Sequence, residues 1–208
     1  MTFERAMVIL FTKAAQTVIA ERFTHTFFDN DGNRVRKVFA YLFSVFIAIF
    51  VNLFFHKPIF NFLSIFLGLS AIALSYNGTI KRKCMFVFYI LAVSCLIDLV
   101  VSAFLIKPFG YDGYSAFVSI FALLLLHAVQ LITERFFGND LGIELNNRYW
   151  LFIIASLLVC IITSIVIFMD KTVSSFSLSL VCGAFLLVNI IISYLMDCLL
   201  YTSDAADD

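Results

Sequence analysis

The chain has 208 residues, 62% of them hydrophobic and 13% charged, with fourteen Lys and Arg against fourteen Asp and Glu. Soluble domains carry about 25% charged residues. The polar surface here is therefore too small to coat a water-soluble globule, and a mean hydropathy of +1.03 agrees. Zero net charge gives no basic footprint for nucleic acid.

The apolar residues fall in runs of about 18 to 23, the length that crosses a hydrocarbon core of roughly 30 Å at about 1.5 Å per residue. They predict an all-α fold, a polytopic transmembrane helical bundle with six strong spans and a weaker first one. The first, Ala6–Phe27, carries Lys13, Gln16, Thr17 and Glu21 as a polar stripe at helical spacing. Either the stripe faces the bundle interior or the segment lies amphipathically in the interface; the spanning reading is preferred. It contains charge and lacks a small-residue cleavage site, so no removable leader is expected.

The strong spans are Val38–Phe55, Pro58–Tyr76, Cys84–Ile106, Ser115–Thr133, Tyr149–Met169 and Phe176–Met196. His56-Lys57-Pro58 forms a tight hairpin, with proline suited to a helix first turn. Short connections imply antiparallel neighbours. Alternate loops hold Arg22, Arg34, Arg36, Lys37, Lys81, Arg82, Lys83, Arg135 and Arg148; the opposite side holds only Arg5, Lys57, Lys107 and Lys171. Basic loops stay cytoplasmic. A multi-pass membrane protein follows, its amino end outside and its carboxyl end in the cytoplasm. Arg34, Arg36, Lys37, Lys81, Arg82 and Lys83 are the topology anchors, and Tyr149 and Trp150 fit an aromatic belt.

Charged groups inside spans are costly and usually face a partner or a cavity. Asp98 lies roughly 12 Å, and Lys13 roughly 10 Å, below the outer ends of their helices at about 1.5 Å per residue. Either these two pair, or Asp98 is a lone polar residue bonded to Ser94 or Ser102. His127 and Gln130 share a face, and His127 reads as a hydrogen-bonded interior histidine in preference to a proton relay. Gln130 and Asn189 fall at similar depth, which permits an interhelical amide bond. Ser64/Gly68, Ala71/Ser75 and Ser179/Gly183 allow close helix approach. In the external loop, Tyr111, Asp112 and Tyr114 either contact a ligand or anchor at the interface.

The five cysteines have no CxxC spacing, so neither a disulfide framework nor a metal site is expected. No Gly-rich phosphate loop, HExxH or GxSxG occurs. No cofactor and no catalytic residue are expected. Three functional readings are weighed: a receptor, a small transporter using Asp98, His127 and Gln130 at a midplane site, and, disfavoured because His127 has no cysteine on its own span, a membrane-embedded peptide-processing enzyme. The last eleven residues, CLLYTSDAADD, resemble the translation of a transposase sequencing adapter. On that reading the native sequence runs to about Asp197 and the natural gene continues.

The order of features across residues 1–197 resembles the membrane sensor domain of accessory-gene-regulator-type histidine kinases from Firmicutes, whose output is a GHKL-type ATPase domain. A polar-striped first span leads to NRVRK, then to a hairpin around FFHKPIFNFLSIF, a KRK turn and an acid-bearing span, VSCLIDLVV. LITERFFGND and RYWLFIIASLLV follow, and the last span runs into YLMD. The resemblance implies a homodimeric receptor in the lipid bilayer for an extracellular signal such as a peptide. A cytoplasmic response regulator would be reached only through the missing output domain. The phosphoacceptor segment and ATP-binding motifs are absent, and none of the three histidines fits the phosphoacceptor role. The chain as it stands is therefore expected to be no enzyme.

Overall fold

A computed structural model describes residues 3–28, 33–55, 58–111, 115–137, 157–159 and 161–163. Every regular element among them is helical: α1 Phe3–Phe27, α2 Arg34–Phe54, α3 Pro58–Ser75, α4 Ile80–Val101, the short α5 Lys107–Phe109 and α6 Ala116–Phe137. Five long helices thus occupy the first five apolar stretches. Most of Tyr149–Met169, and all of Phe176–Met196 with Asn189 and the Ser179/Gly183 pair, lie outside the described residues. Among the described residues, three helices are long and apolar enough to cross a membrane: Arg34–Phe54, Ile80–Ile106 and Ala116–Arg135. Ile59–Ser75 is a shorter apolar helix.

The helix starts are set by short polar side chains that satisfy orphan backbone donors. Asn33 Oδ1 accepts from the Val35 amide at 3.0 Å, Thr79 Oγ1 from Arg82 at 3.4 Å and Ser115 Oγ from Val118 at 3.3 Å. α3 begins on Pro58. α4 runs into a π-helical segment, Ser102–Ile106, then the turn of α5. Gly110 ends it at φ 68°, a left-handed conformation that a side chain rarely adopts.

The long helices close into a ring. α1 packs on α2 and α6, α2 on α3, α3 on α4 and α4 on α6, while α1 also touches α4 across the ring. α4 is the most enclosed, burying Phe86, Val87, Ile90, Leu91, Ala92, Val93, Ile97, Leu99 and Val101. α2 is its opposite. It exposes Phe39, Phe43, Phe46, Phe50 and Phe54 along its length, with Phe50 and Phe54 ring centroids 4.7 Å apart. The α2–α3 seam is tight because Gly68 lacks a side chain. A Cβ placed there would collide with the Ser44 side chain and sit 3.3 Å from the Ser44 Cα. Small residues allow this approach where lipid supplies no hydrophobic force between helices.

The two ends of the ring differ in sequence. The connections 27–34 and 75–80 gather Arg34, Arg36, Lys37, Lys81, Arg82 and Lys83 at one end, hereafter the basic end. The hairpin before α3 and the segment after α4 place Pro58 and Pro108 at the other, the proline end.

Candidate functional site

A cavity of about 730 Å³ opens toward the proline end, between α1 and α4 and walled by α2, α3 and α6. Its lining is mostly apolar, with a few polar groups converging on it. That composition and volume match sites for small organic ligands. Of the polar stripe predicted on α1, Lys13, Gln16 and Thr17 line the cavity, joined by Thr12, while Glu21 is not among the described lining residues. Thr12 and Thr17 turn their hydroxyls back to the Val8 and Lys13 carbonyls and present little free polarity. Lys13 is buried, 9% exposed. Its ammonium donates to Gln16 Oε1 at 3.2 Å and to Asn61 Oδ1 at 3.5 Å.

Asn61 Oδ1 is the junction of a small amide platform. It also accepts from Asn52 Nδ2 at 2.9 Å, and that same nitrogen donates to the Ala48 carbonyl at 2.9 Å. The hairpin explains the meeting. Asn52 sits near the end of α2 and Asn61 one turn into α3, so an antiparallel return sets them side by side. Each interrupts a Phe-rich apolar run, IFVNLFF on one side and IFNF on the other, and that interruption is the available signal.

Asp98 stands on α4 across the cavity from Lys13 and is exposed to it. Among the described residues its carboxylate accepts no hydrogen bond from Ser94, Ser102 or any other group. The two charges interact electrostatically. They form no direct ion pair, because the Lys13 head is held by Gln16 and Asn61. The structure therefore brings Lys13 and Asp98 to one cavity without joining them.

The other candidates fall elsewhere. Neither His127 nor Gln130 is among the described lining residues. His127 is half-buried. Gln130 is fully enclosed, and neither polar atom of its amide, nor Thr26 Oγ1, has a hydrogen-bond partner among the described residues. Tyr111 is exposed, with its ring 5.5 Å from Phe117 and 6.3 Å from Phe109; Asp112 and Tyr114 lie outside the described residues. Among the described residues no cluster of His, Cys, Asp or Glu could hold a metal ion.

Among the described residues, the basic end is packed with aromatic rings. Phe27 packs against Phe86 and Tyr89 at 5.7 Å, and Phe28 against Tyr76 and Phe86 at 5.3 Å. Three hydroxyls then tie α1, α2 and α3 together. Tyr76 Oη lies 3.0 Å from both Thr24 Oγ1 and Tyr41 Oη, and those two are 3.3 Å apart. Tyr89 Oη bonds Thr133 Oγ1 at 2.8 Å, linking α4 to α6. Lys37, buried in the first turn of α2, places its Nζ 4.2 Å from the Tyr76 ring centroid. Arg34, Arg36 and Lys81 are exposed, Arg82 and Lys83 partly so.

The chain matches no protein-family model, no curated protein and no solved structure.

Proposed function

We propose that the chain is the membrane-embedded sensory input of a two-component receptor histidine kinase. It lies in a bacterial cytoplasmic membrane with the basic end inside and the cavity in the outer half. The observation that carries this reading is the contrast between a hollow proline end and a close-packed basic end within one helical ring. A receptor needs a ligand site on the side it samples and a coupled, well-ordered side where its output attaches. The concentration of basic residues at the packed end supports the orientation. The order of sequence features that resembles accessory-gene-regulator-type sensors supports the class.

In this reading the bundle has six strong spans and a weaker first one, and works as a homodimer. An extracellular signal, such as a peptide, selects one of two arrangements by binding one more tightly. The cavity lies between α1 and α4, so occupancy changes their separation at one end. The aromatic contacts at the other end carry the change inward, and the last span passes it through Asp197 to the output domain. No catalytic group is assigned to the chain itself.

Asp98 in the cavity favours a second reading, a small transporter with an intramembrane acid. That reading also needed His127 and Gln130 at the same site, and neither is among its described lining residues. Sequencing the genomic frame beyond the Asp197 codon separates the two. The receptor requires a dimerisation helix and a GHKL ATPase domain in frame. A stop codon soon after Asp197 contradicts it.

A further inference from the structure

We infer that the cavity takes a zwitterionic ligand with an apolar body, an apolar amino acid or a short peptide with free termini, its ammonium on Asp98 and its carboxylate on Lys13. The inference rests on reading the cavity as the ligand site, and it adds the chemistry that the site would recognise.

Three observations carry it. First, a cation and an anion on opposite helices face one cavity without touching. Lys13 is restrained by two amide oxygens, which leaves one of its three N–H donors for a further acceptor. Asp98 offers a carboxylate with no hydrogen bond from the described residues. A charge in a mostly apolar cavity without a hydrogen-bonding partner is costly. A ligand that brings one donor-rich cation and one acceptor-rich anion satisfies both groups at once.

Second, the lining carries one basic and one acidic side chain, Lys13 and Asp98, so that the two charges balance when both are ionised. A ligand of net charge would leave an uncompensated charge in a low-dielectric interior, the situation that proteins avoid most strongly. A zwitterion preserves the balance. The platform of Asn52 and Asn61 beside Lys13 adds neutral hydrogen-bonding capacity without disturbing it.

Third, the remaining walls are oily. Ile9, Leu69, Ile90, Leu91 and Leu126 are buried apolar residues that line the cavity. They would enclose an aliphatic or aromatic side chain. They offer nothing to a sugar or a phosphate.

Binding to the full chain in lipid nanodiscs tests the inference with four probes: L-leucine, leucyl-leucine, leucine amide and N-acetyl-leucine. The first two are zwitterions; the others are a cation and an anion on the same body. At least one zwitterion should bind saturably, and both singly charged analogues should bind about tenfold or more weaker, as expected for losing one charged hydrogen bond. Tighter leucine identifies a free amino acid as the class; tighter leucyl-leucine identifies a short peptide. Asp98→Asn should weaken the zwitterion and tighten N-acetyl-leucine, whose carboxylate no longer shares the cavity with an uncompensated acid, so any loss of fold would show as weakening of the second probe as well. Saturation by neither zwitterion, or equal binding of leucine amide and leucine, overturns the inference. Neither result bears on the downstream kinase frame, so this inference and the receptor reading fail separately.

Discussion

At the basic end α1 meets α4 through Phe23 and Phe27 against Phe86 and Tyr89, with rings 5.7 to 6.3 Å apart. Toward the proline end the same two helices face each other with Lys13 and Asp98 across a cavity of about 730 Å³. Lipid is as apolar as the helix surfaces, so no hydrophobic force closes a gap between them. Contact forms where side chains interlock and where hydrogen bonds bridge helices. Four large rings supply the first at one end. At the other, the polar heads are engaged sideways, Lys13 along its own helix and to α3, and the space between α1 and α4 stays open.

Substitutions at the two ends should therefore act differently. The largest effect is expected for Phe86→Ala. It removes a fully buried ring that touches Phe27 and Phe28 and should cost about 3–5 kcal/mol, read as a lowered midpoint of thermal unfolding in detergent. Gly68→Ala comes next. Its new methyl meets Ser44 on the seam that both ends share, and overpacking of this kind costs about 1–3 kcal/mol. Equal stability of Gly68→Ala and wild type would show that α2 and α3 can separate freely.

Tyr76→Phe keeps the ring over Phe28 and Lys37 but removes the hydroxyl shared by Thr24 and Tyr41. A loss of about 1 kcal/mol is expected, within the range for interhelical hydrogen bonds in membranes. Ligand binding at the opposite end should not change. Tyr111→Ala, at an exposed ring against Phe109 and Phe117, should alter stability by less than about 0.5 kcal/mol. A larger change would mean that the loop after α5 supports the proline end.

The comparison also shows where sequence reasoning reaches. Apolar runs located five helices, because an uninterrupted apolar run of this length suits a helix in an apolar environment whether its side chains face lipid or protein. They placed the start of α2 at Val38, whereas helix begins at Arg34. Hydropathy marks the oily part of a helix, while Asn33 capping Val35 marks its first turn. Depth arithmetic alone put Lys13 and Asp98 at one level, and both line the cavity. The amides between them were not legible. Asn52 and Asn61 have meaning only when the register of the α2–α3 hairpin is known. Thr24, Tyr41 and Tyr76 are far apart in sequence, and two tyrosines near helix ends read equally well as interface anchors.

One-sided access tests the central claim most directly. Single cysteines would replace Ser119, which lines the cavity, and Thr133, 2% exposed at the packed end, after the chain's five cysteines are changed to alanine. A membrane-impermeant maleimide is then added to either face of sealed vesicles. The account predicts labelling at 119 only from the face carrying Pro58, and none at 133 from either face. Labelling of 119 from both faces, or of 133 from any, would contradict it.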